Sequence, residues 1–184
     1  MSSKLFRDDL KFKAYRLYHS LYKRISDARY VLEMSDSSAI GKRVLPPDTE
    51  IIVCRSKKEA PEAEAVGQSS DEMSNLFDAG GRLYTLYVRG QLASYGWTRR
   101  GADISHWTIP LSSDDIVISR CFTRPAFRGH GYITDVIAAM LAEGGWHEGC
   151  RFLTDVHVAN KPSLNQFLRT GWRIIARARA PGKR

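Results

Sequence analysis

The chain has 184 residues, a formal charge of +8 and a 43% hydrophobic composition. That length sets a single domain over residues 1–184 as the expectation, and the apolar share is enough for a real core and argues against disorder. No apolar run reaches the length of a membrane span, the basic N-terminus lacks the apolar block of a signal peptide, and the cysteines Cys54, Cys121 and Cys150 are too widely spaced for a Cys-x-x-Cys zinc site or a disulfide framework, so a cytoplasmic location without structural metal is expected.

Leu10, Ala14, Leu17, Leu21 and Ile25 recur at helical spacing among Lys and Arg residues, which predicts an amphipathic helix from about Asp8 to Ser26. Packing on the protein's own sheet is its simpler reading, beside contact with a membrane surface or nucleic acid. Arg29–Ser35 and Ile51–Cys54 read as strands. Ser56–Ser70, rich in Ala, Glu, Lys and Pro, reads as an exposed connection, followed by a short helix over Asp71–Asp78. Arg82–Val88 and Gln91–Thr98 form a hairpin turning at Arg89-Gly90, with Tyr84, Tyr87, Tyr95 and Trp97 read as packing residues before pocket walls. Asp103–Pro110 is a short strand or loop. Asp115–Thr123 has strand character, and Ile133, Val136, Ile137, Met140 and Leu141 mark one face of a helix ending at Gly144-Gly145. Phe152–Val158 is a strand, Asn160 an N-cap, Leu164, Phe167 and Leu168 the apolar face of a helix that Gly171 ends, and Trp172–Ala178 the last strand. This alternation implies an α/β layer with helices packed on a mixed sheet.

The stretch Arg124-Pro-Ala-Phe-Arg-Gly-His-Gly-Tyr132 joins a strand to a helix. Its two glycines let backbone approach a ligand, and the helix start presents unpaired N–H groups and the positive end of a dipole. With Arg128 and Arg124 nearby, such a turn suits a pyrophosphate. A bare strand-to-helix turn is the plain alternative. A dinucleotide-binding spacing would need glycine where Thr134 stands, and no Gly-Lys-Ser/Thr is present for a phosphate loop of the Walker kind. The charge of +8 likewise favours an anionic partner, although charge clusters are more often solvated faces.

The order strand, Arg-Gly-x-Gly, helix resembles the acyl-CoA-binding segment of the GNAT superfamily of N-acetyltransferases. The resemblance is best over residues 82–177. Arg128 and Gly131 match the first two fixed positions of the family signature Arg/Gln-x-x-Gly-x-Gly/Ala, and Ile133 departs from the third. A second anchor, Val156-His-Val-Ala-Asn160-Lys-Pro-Ser163 with its helix and the closing Gly171-Trp172, resembles the family's strand-Asn-helix segment. The resemblance implies a GNAT-like single domain on a mostly antiparallel sheet, with acetyl-CoA as acyl donor. It also implies that the strand before the pyrophosphate loop splays from its neighbour to admit the pantetheine arm. Carried over by position, Cys121, Phe122 and Thr123 line that arm, Arg128, Gly129, His130, Gly131 and Tyr132 hold the pyrophosphate, and Asn160, Ser163 and Asn165 lie near CoA on the other side. Phe167 stands where many members carry a proton-donating Tyr, and is expected to pack beside the pantetheine thiol instead of acting as an acid. The chain ends soon after Trp172, where the family adds a further hairpin strand, so the acceptor pocket is either incomplete or built by the N-terminal region.

The activity implied is transfer of an acetyl group to a primary amine by direct attack through a tetrahedral oxyanion, with the Cys121 backbone N–H as oxyanion donor. Asp155 and His157 share one strand face by alternation, as orienter and base, although two unrelated rim residues or a structural pair is the plainer reading. A cysteine nucleophile has no support, because Cys121 sits in an apolar strand. The acceptor is a small-molecule amine or a protein amino group. No nucleic-acid motif is present, peripheral membrane contact has only charge behind it, and a homodimer is compatible. The rival classes are a non-catalytic module binding CoA or another pyrophosphate, favoured by Phe167, and a basic protein of membrane surfaces or nucleic acid.

Overall fold

Segments rich in β-branched and aromatic residues pair into a sheet in the computed structural model, which describes residues 28–34, 44–145, 147 and 149–179. The helix expected over Asp8–Ser26 lies outside the described residues. The strands are β1 (Ala28–Met34), β2 (Thr49–Cys54), β3 (Arg82–Val88), β4 (Gln91–Arg100), β5 (Ile116–Thr123), β6 (Phe152–His157) and β7 (Trp172–Arg179), in the spatial order β2-β3-β4-β5-β6-β1-β7. Neighbours are antiparallel except for β5 and β6, which run parallel. Three helices accompany the sheet among the described residues: α1 (Ser70–Asp78), α2 (Tyr132–Gly144) and α3 (Lys161–Arg169).

Period-two alternation sends successive side chains to opposite faces, and this divides the core. Tyr84, Leu86, Ile116, Ile118 and Phe152 meet Val136, Ile137 and Met140 of α2 and Leu164 and Phe167 of α3. On the other face Leu83, Tyr95 and Trp97 meet Met73 and Leu76 of α1. The β3–β4 turn has φ +50° at Arg89 and +71° at Gly90, the left-handed pair that a two-residue hairpin needs.

β1 lies between β6 and β7 and pairs antiparallel with both. It stands beside the strand that begins at Trp172, where the resemblance implied a closing hairpin strand. Leu32 and Met34 enter the α2 side of the core at 0% and 1% exposure, so β1 is an interior strand.

One expectation changes. Ser56–Ser70 is not simply an exposed connection: Ala63–Val66 winds into a 3-10 turn, and Ala63, Val66 and Gln68 are buried. Alanines that read as linker composition serve here as small contacts beneath α1. Of the two readings of Asp103–Pro110, strand or loop, the structure takes the loop: the chain leaves a 3-10 turn at Gly101–Asp103 irregularly. Asp115, fully buried, accepts hydrogen bonds from Arg151 Nε at 2.8 Å and from the Ser112 N–H at 2.7 Å, so it staples the start of β5.

Candidate active site

β5 decides the geometry of the site. It pairs with β6 only from Ile116 to Ile118, opposite Phe152 to Thr154. Beyond that it follows β4 alone, with Phe122 opposite Tyr95 and Thr123 opposite Ser94. Between these stretches Gly96 faces both Arg120 and Cys121, and Arg120 takes φ +53°. An extra residue on one strand bends it and strengthens its twist, and here the bend carries β5 away from β6. Residues 119–123 therefore have no ladder partner on the β6 side. Ser94 Oγ holds the bent end to β4, donating to the Phe122 carbonyl at 2.9 Å and lying 3.0 Å from Thr123 Oγ1.

Glycine at position 96 is dictated by this bulge. A Cβ there would lie 2.7 Å from Met140 Cε and 3.0 Å from Cys121 Sγ. The Cys121 thiol thus points to the α2 side, where burial pushes its pKa up to about 12. Such a thiol is inert as a nucleophile at neutral pH. Phe122 points to the opposite face, with its ring centroid 5.5 Å from that of Tyr95.

After Thr123 the chain makes a 3-10 turn, Pro125–Phe127, and reaches α2 through Gly129 at φ +86° and Gly131 at φ +81°. Gly131 is the N-cap of α2, and no side chain caps the helix there. A Cβ at Gly129 would meet nothing within 4 Å. Open space, an uncapped helix start and the exposed Arg128 thus converge on one spot. Arg128 Nε donates to the Thr123 carbonyl at 3.2 Å and its guanidinium lies 5.7 Å from the Phe122 ring centre, which anchors the side chain beside the loop. His130 stacks on Tyr132, with centroids 5.5 Å apart. Tyr132 is buried, and Ile133, the departure from the family signature, packs against the α2-side core.

Across the gap, α3 begins with Asn160, whose Oδ1 accepts the Ser163 N–H at 3.3 Å. Gln166 Nε2 donates to Thr134 Oγ1 at 2.5 Å and ties α3 to the first turn of α2. Ser163 is half-buried and Asn165 is exposed. Phe167 is 3% exposed and meets Trp172 edge-on at 5.1 Å. Asp155 and His157 share a face, as alternation requires, yet the bonds they make diverge. Asp155 Oδ2 accepts from Arg29 at 2.7 Å, and His157 Nδ1 accepts from the Ala159 N–H at 3.2 Å.

Several contributors were not singled out in the sequence. Arg120, Ser94 and Glu72 shape the bent strand, with Arg120 and Glu72 paired at 2.6 Å. Gly96 was the available signal, because a glycine inside a strand pattern marks a bulge or a close approach. Among the described residues no group of three His, Cys, Asp or Glu side chains is placed to hold a metal ion, and no helix is long and apolar enough to cross a membrane.

The sequence pattern of the acetyltransferase (GNAT) family matches residues 51–172, well over half of the chain. This chain belongs to the GNAT family. The family uses acetyl-CoA, and the match spans both β5 with its glycine turn and the Asn160 helix. No curated protein sequence matches the chain. Solved structures do. A GNAT-family protein from Novosphingobium aromaticivorans aligns with TM-score 0.55 and 18% identity over 83% of this chain and 62% of its own. A Drosophila protein aligns with TM-score 0.60 and 16% identity over 83% of this chain and 49% of its own. The chain thus spans about half to two thirds of these two proteins. AAC(6')-Iy, solved with the bisubstrate analog CoA-S-monomethyl-acetylneamine, aligns with TM-score 0.57 and 18% identity over 74% of this chain and 98% of its own. At these identities the likeness shows the fold.

Proposed function

We propose that this GNAT protein transfers an acetyl group from acetyl-CoA to a primary amine, by direct attack of the amine on the thioester carbonyl. The observation that carries the proposal is the unpaired edge of β5 over residues 119–123, leading without interruption into the uncapped, glycine-flanked start of α2. An unpaired strand edge offers backbone N–H and C=O groups to an amide-bearing arm, and the helix start offers N–H groups to a pyrophosphate. Together they would fix a thioester beside the bulge at Arg120 and Cys121.

In this reading Gly129, His130, Gly131 and Tyr132 contribute backbone to the pyrophosphate and Arg128 contributes charge. Phe122 and Thr123 line the arm, with Asn160, Ser163 and Asn165 along its far side. The Cys121 backbone N–H serves the oxyanion, which gains most from a donor aimed before reaction. An uncharged amine attacks, its proton leaves to solvent or to His157, and the thiolate departs. Phe167 has no proton to give, but a thiolate is stable enough to leave unassisted. Asp155, held by Arg29, acts on this chemistry only through the β6 backbone.

The test is calorimetric titration with acetyl-CoA, together with thiol release in the presence of an amine panel. Gly131→Asp places a negative charge against the pyrophosphate and is expected to weaken binding at least ten-fold, whereas Gly131→Asn, which tolerates positive φ, keeps most of it. Equal affinity of wild type and a folded Gly131→Asp protein would move the pyrophosphate elsewhere.

A further inference from the structure

Gln68 is 6% exposed, and neither its Oε1 nor its Nε2 has a hydrogen-bond partner. A buried amide loses its hydration, and without partners nothing offsets that loss, so native proteins rarely leave one in this state. Its neighbours place this turn beside the bent half of β5. Gln68 follows the 3-10 turn at Ala63–Val66, and its own N–H bonds back to the Ala63 carbonyl at 3.0 Å. Two ties bracket it against the bent half of β5. Before it, the Ala65 carbonyl accepts from Arg124 at 3.1 Å. After it, Glu72 pairs with Arg120 at 2.6 Å. Between Arg120 and Arg124 lies the segment with no partner on its β6 side. The neighbouring Gly67 is held close to β4: a Cβ on it would lie 3.3 Å from the Tyr95 hydroxyl. Tyr95 and its ring partner Phe122 belong to the same α1-side cluster as Ala63 and Val66, opposite to the side taken by α2 and its glycine turn.

We infer that Gln68 selects the acceptor, by hydrogen bonding a neutral group that both donates and accepts, a hydroxyl or a carboxamide, carried next to the amine. This rests on the acyl-transfer reading above. An unpaired amide has one face that accepts and one that donates. A carboxylate uses only the second and an ammonium only the first, whereas a hydroxyl or carboxamide uses both. The Tyr95 hydroxyl lies beside the same turn, and burial pushes the phenol up against the opposing pull of Arg124 and Arg120. A site with such groups discriminates strongly against an analogue that leaves them unpaired.

The experiment compares the wild-type full chain with Gln68→Leu, a substitution of similar size without polar atoms. An amino alcohol, an amino-acid amide and the alkylamine of equal length are the probes. The readouts are kcat/KM by thiol release with acetyl-CoA, and the thermal midpoint with each amine alone. Wild type is expected to prefer one of the two polar amines over the alkylamine by at least about ten-fold. The two arms separate hydroxyl from carboxamide. Gln68→Leu is expected to lose that preference while keeping its alkylamine rate and a thermal midpoint at or above that of wild type, because an unpaired buried amide has been removed. A lower midpoint for Gln68→Leu, or the same amine preference in both proteins by both readouts, overturns the inference. If no amine supports thiol release, yet a polar amine raises the midpoint of wild type alone, the acyl-transfer reading fails and the Gln68 site stands.

Discussion

Cys121 lies at the bulge, and its thiol is sealed against Gly96 and Met140. Its pKa stands at about 12 in the folded protein against 9.0 for the free group. The unfolded chain therefore loses this proton first as the pH rises. Between these two values the folded state binds more protons than the unfolded, so the contribution is intact below about pH 9 and is lost progressively toward pH 12. Alkaline thermal melts should show a falling midpoint in that window, with a shallower slope for Cys121→Ala. The residual slope belongs to Cys54, Cys150, Tyr84, Tyr87 and Tyr95, which burial also shifts upward. Phe167 is a second residue whose environment is decisive. Buried edge-on against Trp172, it joins α3 to β7, and Phe167→Ala should cost about 3–5 kcal/mol in denaturant unfolding.

At the scale of elements, the bulge and the helix caps are the parts most open to test. Gly96→Ala forces a methyl group against Met140 and Cys121, and overpacking of this kind costs about 1–3 kcal/mol. Relief on the Cys121 side shifts β5, so acetyl-CoA affinity should fall along with the melting midpoint. Calorimetry showing lost stability but unchanged affinity would mean that the splay does not position the ligand. Helix α1 starts at Ser69, whose hydroxyl accepts the Glu72 N–H at 3.1 Å. Ser69→Ala should cost about 1 kcal/mol by chemical denaturation. The capping partner Glu72 also pairs with Arg120 at the bulge, so the start of α1 and the bend of β5 are mechanically linked.

For the whole molecule, the consequential feature is β1. A strand remote in sequence from its neighbours fills the gap between β6 and β7, buries Leu32 and Met34, and pairs Arg29 with Asp155 and Glu33 with Arg173. Removing residues 1–34 would open two strand edges and a cavity in the α2-side core at once. Such a protein should show no cooperative thermal transition by circular dichroism. Retention of the wild-type midpoint would mean that the remaining strands close the sheet by themselves. β7, at the edge of the sheet, carries Arg173, Arg177 and Arg179 and a register break opposite Val31 and Leu32, features that discourage pairing with another chain.

The sequence alone determined the elements whose signals are local. The β3–β4 hairpin, the Gly131 and Asn160 helix starts and the apolar faces of α2 and α3 were legible because turn chemistry, capping and periodicity act within a few residues. The glycine turn after β5 was legible for the same reason, and with it the family. Tertiary structure decided what depends on contacts between distant segments. The place of β1 between β6 and β7 rests on pairing across more than a hundred residues, which no local pattern encodes. The bend of β5 is set by Gly96 on another strand and by Met140 on a helix. The burial of Gln68 arises from a turn that, by composition, reads as a solvated linker, and only the fold brings it against the open strand. The divergence of Asp155 from His157 has the same origin: alternation puts them on one face, but Arg29, from β1, claims the carboxylate.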